Sequence, residues 1–220
     1  RFRMDAAINF PPVVVTETGS GPIIGAVAES GQFVFLDALT GRYLVGGSLL
    51  DGIDVAPIAA GGLMIVAGRD QSLWGLRPDG SVAWRERTSL KLDQPPVSDG
   101  TTVWAELGER GLSAVRLSNG NVVWSAKNAA GEPVFGKVVA VRGDQLLCQD
   151  GTKVYTLDAA RGDVVASFEV PGLMDIRSEQ RSEVGRGEGL PILRLPLIHD
   201  QLGTLTEGVA EAVHAVHASL

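Results

Sequence analysis

The residues best suited to chemistry lie near the C-terminus, where Glu211, His214 and His217 follow one another at intervals of three. On a helix that spacing brings side chains to neighbouring positions, as a metal-binding Glu-x-x-His pair requires. A metal centre needs further ligands, and His199 is the only other histidine, so no metal site is expected. Cys148 is the single cysteine, and no intrachain disulfide can form. Its run, Gln145-Leu146-Leu147-Cys148-Gln149, reads as a strand in which a small buried hydrophobe is the expected role. Asp37, Asp79 and Asp158 recur at turns, and turn formation accounts for them. No G-x-S-x-G elbow, H-E-x-x-H pair or P-loop is present. No catalytic or metal residue and no cofactor is therefore assigned.

The elements that would position any such group belong to an ordered chain of 220 residues, 45% hydrophobic and rich in glycine. The formal net charge of −7 disfavours a phosphate backbone as partner. Arg69, Arg77, Arg85 and Arg87 are interleaved with Asp70, Asp79 and Glu86, which reads as a mixed, solvated face. No apolar run approaches the ~20 residues of a membrane-spanning helix. The sequence opens at Arg1, which reads as a processed product or a fragment, so the absence of a leader says little about export.

Self-comparison gives the strongest signal. Four segments share one grammar: a start near proline, two β-rich runs, a turn, a third run, a glycine turn and a fourth run. The turn before the third run falls at Gly31, Gln71, Gly111 and Gly151, 40 residues apart each time. The next turn carries Gly41, Gly80, Gly120 and Gly162, at spacings of 39, 40 and 42. Asp-Gly and Asn-Gly in these turns supply the backbone that a tight hairpin needs. Short four-stranded units cannot cover both faces alone, whereas stacking one on the next does so. The fold class is all-β: a β-propeller with four recognisable blades near residues 12–50, 51–91, 92–131 and 132–170.

Unit ends of the form Asp-Ala-x-x-Gly-x-Val-x-Trp resemble the quinoprotein-like (PQQ-like) propeller repeat over residues 12–170. Trp84 and Trp124 stand four residues after the turn glycine, where the family's blade-docking tryptophan stands; Val45 and Ala166 take that place in the outer units. The resemblance implies weaker docking at those two. It embraces dehydrogenases that use pyrroloquinoline quinone and a non-catalytic outer-membrane assembly lipoprotein. For the dehydrogenases it implies calcium ligands, a catalytic aspartate and often adjacent cysteines; no residue here matches the ligands, and Cys148 alone forbids the vicinal disulfide. Relatives mostly close with about eight blades and work in the periplasm or cell envelope. These blades either close alone or are completed by a second copy, a partner or further chain.

Beyond Pro171 the grammar stops. Residues 175–189 read as a linker, and the proline-broken run 190–198 as an edge strand or clip. Thr204 and Glu207 form a capping box for a C-terminal helix. Leu205, Val209, Val213, Val216 and Leu220 share one face of it. That stripe packs on its own propeller or docks a partner. The expected function is a non-catalytic scaffold for protein–protein interaction in a larger envelope assembly. A fragment of a quinone-dependent dehydrogenase and a carbohydrate- or envelope-polymer-binding propeller are the alternatives.

Overall fold

The computed structural model describes residues 3–16 and 21–170. All of them fall in the first of the chain's two compact units, residues 1–178. The helix expected over 204–220 lies outside the described residues.

The described chain forms four antiparallel sheets of four strands, each a meander whose strands pair in sequence order. The first holds β1 (Val13–Val15), β2 (Ile23–Val27), β3 (Gln32–Asp37) and β4 (Tyr43–Ser48). The second holds β5 (Ile58–Ala60), β6 (Leu63–Gly68), β7 (Ser72–Leu76) and β8 (Val82–Arg87). The third holds β9 (Val97–Ser98), β10 (Thr102–Glu106), β11 (Leu112–Arg116) and β12 (Val122–Ser125). In the fourth are β13 (Lys137–Arg142), β14 (Gln145–Asp150), β15 (Lys153–Asp158) and β16 (Val164–Glu169). This is the blade arrangement of a β-propeller.

Period two explains why the inner strands look apolar throughout. Along β6, Met64 and Val66 enter the core shared with the first sheet, while Ile65 and Ala67 enter the core shared with the third. Along β10, Val103 and Ala105 face back to the second sheet and Trp104 faces forward to the fourth. Each middle sheet is thus buried on both faces. Three apolar clusters join first to second, second to third and third to fourth sheets. Among the described residues no cluster joins the fourth sheet to the first.

The outermost pairing of every sheet carries the same irregularity. A register shift falls at Phe35/Leu36, Gly75/Leu76, Ala114/Val115 and Thr156/Leu157, where β3, β7, β11 and β15 meet their outer neighbours. A bulge bends a strand and sharpens its twist, and its repetition gives each outer strand the same path. Turn carboxylates act locally. Asp37 Oδ1 accepts from the Leu39 and Thr40 N–H groups, and Asp158 Oδ1 accepts from those of Ala160 and Arg161. The Thr40 N–H, followed by its hydroxyl, holds the Asp37 carboxyl below the usual aspartate range.

Candidate protein-interaction face

The glycine turn and the fourth residue beyond it form a joint between sheets. Trp84, on β8, lays its ring on the Gly120 turn of the third sheet. Its indole N–H donates to the Leu117 carbonyl at 2.6 Å. Trp124, on β12, repeats the arrangement one sheet on, covering Gly162 and donating to the Ala159 carbonyl at 3.1 Å. In both cases the accepting carbonyl stands three residues before the turn glycine. Those glycines have φ of +75° and +76°, and a Cβ would drive into the tryptophan ring. Val45 holds the corresponding position in the first sheet and packs against Gly80. Its smaller side chain still reaches the next turn, because valine and glycine meet without an intervening ring. Ala166 in the fourth sheet is exposed, as is Gly41 in the first.

At the opposite end of the strands, charged side chains tie neighbouring sheets together. Arg69, in the β6–β7 hairpin, donates to Asp54 at 2.6 Å and to Glu29 of the first sheet's hairpin at 3.3 Å. Lys91, on the connection to the third sheet, reaches the second oxygen of Asp54 at 3.1 Å. Arg110 joins Glu86 at 2.9 Å, linking the third sheet's 3-10 turn (Gly108–Arg110) to β8. Arg85 is held on three sides: its Nη2 meets Asp70 at 2.7 Å, its Nε meets the buried Ser72 hydroxyl at 2.9 Å, and its guanidinium covers Trp74 at 4.3 Å. The mixed basic and acidic run is therefore not a simple solvated face. Antiparallel register places Trp74 opposite Arg85, a relation the linear pattern does not reveal.

Hydrogen bonds from Arg69 and then Lys91 hold the Asp54 carboxyl below its ordinary pKa of 3.8. A carboxylate with a lowered native pKa stabilises the fold fully above its unfolded value and loses that contribution as pH falls through the native value. Asp54→Asn is accordingly expected to lower the melting temperature slightly at pH 6 and by progressively less as the solution is made acidic. The difference between variant and parent should begin to shrink as pH falls below 3.8 and disappear only once pH lies below the lowered native value, in a series of thermal melts.

Two exposed leucines stand on this same end. Leu50 follows β4 and Leu90 follows β8, 40 residues apart and at 61% and 55% exposure, well above a core residue. Each adjoins a residue with left-handed backbone, Asp51 at φ +62° or Ser89 at φ +63°. Repetition of an exposed apolar side chain among ion-paired ones makes a mixed surface suited to a protein. The sequence carried its signal, two leucines in matching connections, but not its exposure.

At the other end, a cleft of about 660 Å³ opens between the second and third sheets, lined by Arg77, Arg116, Thr101 and Leu117 among others. Arg77 is engaged with the Ser81 hydroxyl and the Val82 carbonyl, both at 3.2 Å. Among the described residues no three His, Cys, Asp or Glu side chains converge as a metal-binding group. Cys148 is buried in the core between the third and fourth sheets, and burial pushes its thiol up to about 12. The partner-docking stripe Leu205, Val209, Val213, Val216 and Leu220, and the Glu211–His214–His217 series, lie outside the described residues.

The structure of BamB from Moraxella catarrhalis superposes with a TM-score of 0.59 at 20% identity, over 77% of this chain and 55% of that one. The computationally designed Ika8 protein gives a TM-score of 0.58 at 11% identity, over 69% of this chain and 48% of the other. The chain thus spans about half the length of each. No curated protein sequence matches it. The family model for outer membrane protein assembly factor BamB matches residues 13–133 and again 77–194. Repeats, glycine-turn joints and this match over most of the sequence place the chain in the BamB family of PQQ-like repeat proteins.

Proposed function

We propose that the chain is a non-catalytic scaffold that binds other proteins in the assembly of outer membrane proteins in the cell envelope. The observation that carries this is the end bearing Leu50 and Leu90, whose surroundings are fixed by ion pairs across three sheets. A surface held by the packing beneath it loses little freedom on binding, so its apolar contacts convert more fully into affinity. Family membership supports the envelope setting, since the matching family is described as an assembly factor.

The test is retention of the outer-membrane assembly complex, solubilised from a strain lacking its own BamB, on the immobilised chain. Retention is expected. The double substitution Leu50→Glu with Leu90→Glu should weaken it about tenfold or more while leaving the melting temperature within a few degrees. No retention, or equal retention by the double variant, would sink the proposal. So would oxidation of an alcohol or sugar by the chain supplied with pyrroloquinoline quinone and calcium.

A further inference from the structure

We infer that the cleft between the second and third sheets docks an acidic peptide segment of a partner protein, with Arg77 and Arg116 receiving its carboxylates. The case starts from one position used four times. The residue entering each glycine turn donates its N–H across that turn: Asp37 to the Arg42 carbonyl, Arg77 to Ser81, Arg116 to Asn121 and Asp158 to Asp163, each at 2.8–2.9 Å. In the first and fourth sheets this residue is aspartate, and its side chain caps N–H groups of the turn. In the two middle sheets the task passes further along the turn. Asp79 Oδ1 accepts from the Ser81 N–H at 2.9 Å, and Asn119 Oδ1 accepts from the Asn121 N–H at 3.1 Å. The entry position is thereby released from turn chemistry, and both times it carries arginine.

Both arginines line the same cleft. At the opposite end of the strands Arg69, Arg85 and Arg110 are each matched to a carboxylate. Arg77 instead meets neutral acceptors, the Ser81 hydroxyl and the Val82 carbonyl. Among the described residues no group holds the Arg116 guanidinium. The neighbouring carboxylates are already occupied: Asp79 as above, and Asp99 by the N–H groups of Thr101 and Thr102, both at 2.8 Å. On a chain of net charge −7, two cations without carboxylate partners mark where an acidic partner fits. Guanidinium forks suit carboxylates, taking both oxygens at once and giving up hydration readily.

The rest of the lining selects a peptide over a bare anion. Leu63, Ala83 and Val123 are apolar, and Val123 is 47% exposed. A phosphate ion uses none of that surface, whereas a peptide sets apolar side chains between its carboxylates. The cleft's volume of about 660 Å³ lies within the ~300–1,000 Å³ usual for binding sites. Its walls are fixed beforehand: the Leu117 side chain lies against Gly61, and the Leu117 carbonyl holds the Trp84 indole. A preformed cleft costs its ligand little in ordering.

Fluorescence anisotropy of a labelled peptide of alternating glutamate and leucine, titrated with the full chain, tests this. Saturable binding is expected, with the matching glutamine–leucine peptide about tenfold weaker or more. Arg77→Gln with Arg116→Gln should weaken binding of the acidic peptide by about tenfold or more. Both side chains are exposed, so the variant should melt within a few degrees of the parent. Arg116→Gln alone removes no described contact and should still weaken binding about threefold. Leu50→Glu with Leu90→Glu should bind within about twofold of the parent, which separates this cleft from the face at the other end. No binding by the parent, equal binding by the arginine variants, or loss of binding in the leucine variant overturns the inference. Displacement of the peptide by micromolar inorganic phosphate also overturns it, and assigns the arginines to a small anion.

Discussion

Replacing Trp84 with alanine is expected to cost about 3–5 kcal/mol of stability. The magnitude follows from what the ring does. Trp84 is 6% exposed, lies in the core between the second and third sheets, and fixes the distance between them through its bond to the Leu117 carbonyl. Its loss leaves a cavity at an interface and a buried carbonyl without its donor. Domains of this kind hold only ~5–15 kcal/mol in total, so the change takes a large share of the whole.

The form of unfolding should change as well. Stacked repeats draw their stability from each unit plus each neighbouring interface, and a weakened interface lets the two sides unfold separately. Urea denaturation of Trp84→Ala should show a lower midpoint together with a broadened or double transition. Trp84→Phe keeps most of the ring and loses the hydrogen bond, for a cost of about 1–2 kcal/mol. Trp124→Ala should cost less than Trp84→Ala, because Trp124 is only half-buried and its bond to Ala159 is longer, at 3.1 Å. Equal, small losses for both alanine variants, with single sharp transitions, would show that the joints do not couple the sheets.

The second large effect is expected at the glycine on which Trp84 rests. Gly120→Asn should destabilise the fold by about 2–4 kcal/mol through overpacking. Asparagine accepts the left-handed backbone better than most residues, so the cost arises from contact and not from the turn. A Cβ there would stand 2.8 Å from both Cβ and Cδ2 of Trp84, too close for either to remain. Gly41→Asn changes the same turn position, at a similar φ, where no described atom lies within 4 Å. It should shift the midpoint of the dilute chain by less than about 1 kcal/mol. The pair isolates the neighbour's contribution, since both glycines close the same backbone turn, Gly41 N–H donating to the Asp37 carbonyl and Gly120 N–H to the Arg116 carbonyl, each at 2.8 Å. Combining Gly120→Asn with Trp84→Ala should cost less than the two separately, because the ring that the new side chain meets has gone.

Much of this architecture was legible in residues 31–168 alone. Strand runs, hairpin glycines and a spacing near 40 are local properties, and they specify four-stranded units because backbone turns act over a few residues. The tryptophans at 84 and 124 could be placed at the blade joint by resemblance, since each stands at a fixed distance from its own glycine. The face was harder to read. Arg85 and Asp70 looked like members of a solvated charge run, yet antiparallel pairing turns them onto Trp74 and Ser72 and leaves the Asp70 side chain 5% exposed.

Exposure of Leu50 and Leu90 was hidden for the same reason: each has a leucine near by in sequence, Leu49 and Leu92, that is buried. Hydrophobicity alone cannot tell the two apart, because burial is settled by which neighbouring sheet arrives and on which side. The sequence by itself determined the repeating unit, its turns and the positions of its joints. Tertiary structure decided which glycines are covered, which carboxylates hold arginine, and that among the described residues Gly41 and Ala166 stand open. Those outcomes depend on contacts between segments 15 to 40 residues apart, which no local pattern of residues encodes.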